Sequence, residues 1–80
     1  MSHDGGSMIE VRAFATLRKL RPPVEMVAIG DARTIRDVTT LLEVPEEELA
    51  IILLNGRHAT FDDPISAGDI LSLFPPVGGG

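Results

Sequence analysis

Residues 34–44, Thr-Ile-Arg-Asp-Val-Thr-Thr-Leu-Leu-Glu-Val (TIRDVTTLLEV), decide the fold, because nowhere else does this 80-residue chain show a clear helical period. Ile35, Val38, Leu41 and Leu42 recur at helical intervals, and Thr34 with Asp37 has the spacing of a capping box. Ile35, Val38, Thr39 and Thr40 are β-branched and lower the intrinsic propensity, so the helix should form against a sheet rather than alone. Pro45 stops it. Pro45-Glu46-Glu47-Glu48 can open a short further turn, with acids where the helix dipole favours them.

On both sides of the helix the pattern changes to that of strands. From Met8 the run MIEVRAFA sends Ile9, Val11 and Ala13 to one face and Glu10 and Arg12 to the other. A basic loop, Arg18-Lys19-Leu20-Arg21, and Pro22-Pro23 separate it from a second strand, Val24–Ile29, as in a hairpin. After the helix, Leu49–Leu54 is continuously apolar and reads as a buried strand that turns at Asn55-Gly56 into Arg57-His58-Ala59. Turns at Asp62-Asp63-Pro64 and Ser66-Ala67-Gly68-Asp69 lead to a last strand, Ile70–Phe74, which Pro75-Pro76 ends. One helix among such strands implies an α+β domain, a mixed sheet of four to five strands with one face covered.

Residues 1–7 (MSHDGGS) are read as a leader outside the fold, 8–74 as the domain and 75–80 as a flexible tail. With no cysteine there is neither a disulfide framework nor a thiolate metal site, and packing alone must hold a small core. His58 has no second ligand at metal spacing, so no metal site is expected. A formal charge of −5 without Trp or Tyr argues against nucleic acid, and no run approaches the ~20 apolar residues that span a bilayer. The expected compartment is the cytoplasm.

The tail, Phe74-Pro75-Pro76-Val77-Gly78-Gly79-Gly80, is the part that suggests chemistry. Six extended residues reach at most about 20 Å, enough to carry a carboxylate off the domain into a partner's pocket. Glycines without Cβ atoms pass a narrow channel and leave the carboxylate open to attack. A carboxylate is a poor electrophile and needs activation, most simply by adenylation. The chain has no phosphate loop, no dinucleotide turn and no cysteine nucleophile, so it binds no cofactor and has no catalytic machinery of its own; an ATP-using partner is expected.

The strand order around one helix, LLNGR as a late hairpin, FATLRKL after the first strand, and GDILSLFPPVGGG at the end together resemble the MoaD/ThiS sulfur-carrier family of ubiquitin-like β-grasp proteins. The resemblance covers Met8 to Gly80. It implies that an E1-like enzyme adenylates Gly80, that Gly79 is its required companion, and that a sulfur donor protein converts the terminus to a thiocarboxylate. The thiocarboxylate then donates sulfur in cofactor biosynthesis. FPPV is more similar to the small subunit of molybdopterin synthase than to the thiamine carrier, which implies a large synthase subunit as partner. Gly78 completes a glycine triple also similar to thiamine-type carriers.

Alternation along the last strand points Leu71 and Leu73 to the helix and Ile70, Ser72 and Phe74 outwards. Phe74, flanked by Ile70, Pro75, Pro76, Val77 and Gly78, is a candidate partner-binding patch. The plainer reading is a ring tucked against the edge of the core, with the basic loop and the acidic turns merely solvated. The alternatives in function are another sulfur carrier, or a ubiquitin-like modifier or interaction module that joins the tail to an amine or does nothing with it. Lys19 is the one lysine available to such a modifier.

Overall fold

The computed structural model describes residues 7–76. Five strands, β1 (Met8–Ala13), β2 (Val24–Ala28), β3 (Ile51–Leu54), β4 (Arg57–His58) and β5 (Ile70–Phe74), form one mixed sheet in the order β2-β1-β5-β3-β4. A single α-helix, α1 (Ile35–Leu41), shares its core. The first and last strands are parallel neighbours at the centre, and all other pairings are antiparallel. Thus α1 links β2 to β3, which run in the same direction on either side of the β1-β5 pair. This is the expected ubiquitin-like β-grasp arrangement. No helix among the described residues is long and apolar enough to cross a membrane.

Alternation fills the inner face of the sheet: Ile9, Val11, Ala13, Val27, Ile52, Leu71 and Leu73 are all buried. From the helix side come Ile35, Val38 and Leu42, each side chain contributing about 1.5–3 kcal/mol when fully buried. The helical stripe differs from the expected one in a single residue. Leu41 is 54% exposed and Thr39 takes its place at 1%, because positions 35, 38, 39 and 42 are the ones that lie on one face at 3.6 residues per turn. The hydroxyl of buried Thr39 donates to the carbonyl of Arg36 at 3.0 Å, so the exchange leaves no unpaired polar group.

The helix start is held on every side. Thr34 Oγ1 accepts from Asp37 N–H while the Asp37 carboxylate accepts from the N–H groups of Arg33 and Thr34, a complete capping box. The next orphan donors, Ile35 N–H and Arg36 N–H, reach the carbonyls of Asp63 and Phe61 at 3.0 and 2.8 Å. These backbone bonds, above all those from Arg33 and Thr34, hold the Asp37 carboxyl below the usual carboxylate range. A carboxyl depressed in the folded state stabilises above its unfolded pKa of about 3.9 and loses that contribution as pH falls through the lower folded value. Asp37→Asn should therefore remove a small acid-side slope from the thermal midpoint below about pH 4. Melting curves across that window would show it, and an unchanged slope would mean the cap carries no linkage.

At its other end the helix closes in a Schellman turn. Val44 N–H bonds Thr39 O and Glu43 N–H bonds Thr40 O, with Val44 buried beneath. Glu43 occupies the left-handed position, φ 61°, where glycine is favoured. Glu43→Gly should raise stability by about 1 kcal/mol in a denaturant titration.

Three readings are corrected. β1 ends at Ala13, because Ala15 turns left-handed (φ 55°) into a 3-10 turn, Ala15–Lys19, that buries Leu17; the connection to β2 is not a simple polar loop. β3 begins at Ile51 rather than Leu49, since Leu49 N–H closes the 3-10 turn over Glu46–Glu48. It is also buried on one face only: Ile52 is 5% exposed and Ile51 43%, because nothing described covers the outer face of the sheet.

The Asn55-Gly56 turn forms as expected, both residues at positive φ. Its side chain does more than turn: Asn55 Oδ1 accepts from Ile70 N–H and Nδ2 donates to Asp69, at 2.8 and 2.9 Å. The hairpin and the start of the last strand are thereby joined.

Candidate functional site

β5 is the third strand of five, so the chain leaves the sheet from its middle. Its end is fixed from both sides: Phe14 N–H bonds Leu73 O at 3.1 Å and Ala50 N–H bonds Phe74 O at 2.8 Å. Pro75 and Pro76 follow, half-buried and exposed, and neither can extend the ladder. The candidate residues Val77, Gly78, Gly79 and Gly80 lie outside the described residues.

Phe74 points to the open face as alternation requires, half-buried, and its ring stacks on Phe14 with centroids 4.4 Å apart and planes 9° from parallel. Ile51 lies directly across the ladder from Phe74. Leu53 follows on the same face of β3, across from Ser72. Phe14, Phe74 and Ile51 thus make an apolar cluster at the point of chain exit. The ring is not tucked against the core: it stacks on Phe14 on the outer face, with part of it left exposed.

Ile70 is not in this cluster. It shares the face but stands four residues back along the strand, about 13 Å away, beside Glu10. Phe14 and Ile51 were missed by sequence reasoning; parity gives the face of each, but only strand pairing sets them beside Phe74. Phe14 follows inward Ala13, and Ile51 precedes inward Ile52 in a strand whose unbroken apolar run masked the alternation.

The basic loop is largely occupied by structure. Arg18 Nε donates to Ala13 O at 3.2 Å, and Arg21 grips Glu25 through two bonds of 2.6 and 2.8 Å. Among the described residues no three His, Cys, Asp or Glu side chains gather as a metal would need. An open depression of about 520 Å³ lies beside Asp31 and the outer side of α1, lined by Arg36, Thr40 and Leu41. None of the described candidate residues, Ile70, Phe74, Pro75 and Pro76, lines it.

What this geometry can do is present a segment: an apolar face stands beside the point where the chain leaves the sheet. The ThiS family model matches residues 11–80, the glycine tail included. The chain belongs to the ThiS family.

Among solved structures, this ThiS-family chain is similar to small archaeal modifier protein 1 of Haloferax volcanii, at 26% identity and a TM-score of 0.73, over 90% of this chain and 100% of that one. It is similar, too, to a chain in the protein-protein complex of subunits 1 and 2 of molybdopterin-converting factor from Helicobacter pylori. There the identity is 26% and the TM-score 0.61, over 91% and 99% of the two chains. Urm1 from Trypanosoma brucei, 15% identical with a TM-score of 0.70 over 92% and 96%, shares the fold. No curated protein sequence matches.

Proposed function

We propose that the chain is a sulfur carrier that works through the carboxylate of Gly80. The observation that carries this reading is the family match, which runs past the folded domain and through all three glycines. An ATP-using E1-like partner joins AMP to the carboxylate and releases pyrophosphate. A sulfur donor protein then supplies sulfur at the oxidation level of sulfide, which displaces AMP and leaves a thiocarboxylate. The acceptor is an enzyme of cofactor biosynthesis, and FPPV together with the likeness to the Helicobacter pylori complex favours the large subunit of molybdopterin synthase. Within that pair the chain is the sulfur-donating subunit. Gly79 and Gly78 give access, and the Phe14-Phe74-Ile51 cluster with Pro75 docks the partner while the tail enters its active site.

The test is an intact mass and a C-terminal peptide mass of the chain purified from its own host, repeated after incubation with ATP, a sulfur donor and a cognate activating enzyme. A gain equal to exchanging one oxygen for one sulfur at Gly80 is the expected result. Free carboxylate in every sample would overturn it. In the same reaction Ile51→Asp should slow thiocarboxylation at least about tenfold, since a charge replaces an apolar contact in the docking cluster. Its thermal midpoint should move by no more than a few degrees, because Ile51 lies outside the core.

The likeness to a small archaeal modifier favours a second reading, in which the activated Gly80 is joined to an amine. It predicts a ladder of conjugates instead of the sulfur-bearing species.

A further inference from the structure

The sheet has two edges, and they are treated differently. β4 is two residues long, with Arg57 and His58 both exposed, a short polar edge that invites no further strand. β2 is five residues long and apolar except for Glu25. Val24 and Met26 are each 58% exposed, the largest exposure of any large apolar side chain among the described residues.

The phase of the β1-β2 ladder decides what that edge offers. Ile29 N–H bonds Ser7 O and Ala13 N–H bonds Pro23 O, both at 3.0 Å. Main-chain groups of Pro23, Glu25, Val27 and Ile29 therefore face β1, and those of Val24, Met26 and Ala28 face away. Among the described residues nothing bonds these three. Donors and acceptors stand in a row at alternate positions, as a further antiparallel strand requires.

We infer that the occupant is a second copy of this chain, paired β2 to β2 about a two-fold axis through Met26. In that register Met26 meets Met26 of the second copy and Val24 meets Ala28, in about six main-chain hydrogen bonds. Their side chains form one apolar stripe across the seam. Glu25, the strand's single charge, falls opposite Val27, so no like charges meet, and its carboxylate is already held by Arg21 at 2.6 and 2.8 Å. The register is bounded as well: Pro22, which has no N–H, falls opposite Gly30. A parallel pairing would not close on itself, whereas this one does.

The result is a continuous ten-stranded sheet. The two β5 strands stand about five strand spacings apart, roughly 24 Å, and run in opposite directions. The two Phe74 clusters thus lie at opposite ends of one face, and the seam covers neither. Pairing through so short a strand gives a small interface, so the dimer is a concentration-dependent one.

Sedimentation equilibrium of the full chain from about 10 μM to 1 mM tests this, with expected mass rising from that of one chain towards twice it. Met26→Glu and Met26→Lys should each weaken self-association at least about tenfold, because like charges then meet on the axis. An equimolar mixture of the two should associate again. In the unaltered chain the amide signals of Val24, Met26 and Ala28 should shift with concentration more than those of Glu25 and Val27, a readout that needs no variant. A single-chain mass at every concentration, an association that both charged variants leave intact, a mixture that stays apart, or concentration-independent amides at β2 would each overturn the pairing.

Discussion

A chain shortened by Gly79 and Gly80 is expected to melt at the temperature of the full chain and to transfer no sulfur. Every contact described in the domain closes at or before Pro76, and the last strand is fixed by bonds to Leu73 O and Phe74 O. Removing the two glycines therefore leaves every contact among the described residues in place. It moves the carboxylate back by about 7 Å, at roughly 3.3–3.6 Å per residue, and leaves it short of a partner's active centre. The loss is total, because the reacting group itself is displaced. Gly80→Ala, which keeps the length and adds one methyl, should give a partial defect through hindrance alone. Thermal melts paired with single-turnover sulfur transfer to the acceptor enzyme separate folding from chemistry. Undiminished transfer by the shortened chain would overturn the carrier reading and leave the tail as a docking element.

The second large effect is on stability. Leu71 is 0% exposed on the central strand, paired with Val11 on one side and Leu54 on the other, and faces the core shared with α1. Leu71→Ala should cost about 3–4 kcal/mol, within the range for a buried leucine whose surroundings cannot collapse into the gap. For a domain of this size each kcal/mol shifts the melting temperature by about 4–8 °C, so a fall of more than about 10 °C is expected by calorimetry. By contrast Leu41→Ala, on the exposed side of the helix, should be nearly silent. Equal effects at the two positions would contradict the stripe formed by Ile35, Val38, Thr39 and Leu42.

The element order, the capping box, the Asn55-Gly56 turn and the outward Phe74 were all legible in the sequence, because each rests on local periodicity or on the chemistry of one or two adjacent residues. What was not legible depends on pairing. Leu49–Leu54 looks buried on both faces because every residue in it is apolar, yet only the neighbouring strands and the helix determine that one face stays open. Ile70 shares a face with Phe74 by parity, but strand length keeps them apart, and Ile51 from another strand fills the place beside Phe74. Phe14 belongs to the cluster only because β1 and β5 are parallel neighbours, a fact that no local pattern states. Asn55 was read as a turn residue, and its hold on Ile70 and Asp69 came from the same long-range closure.

That closure also bears on how the chain comes together in time. With the first and last strands side by side at the centre, β2-β1 and β3-β4 remain two separate hairpins until Ile70–Phe74 inserts between them. The decisive contacts are those farthest apart in the chain, and the entropy of closing so long a loop must be met before any of them forms. The sheet is therefore complete only once β5 has paired with β1 as well as with β3. The segment that carries the tail is also the one whose arrival turns two half-sheets into a domain, so a chain that displays its tail from the centre of the sheet is one that has already finished folding.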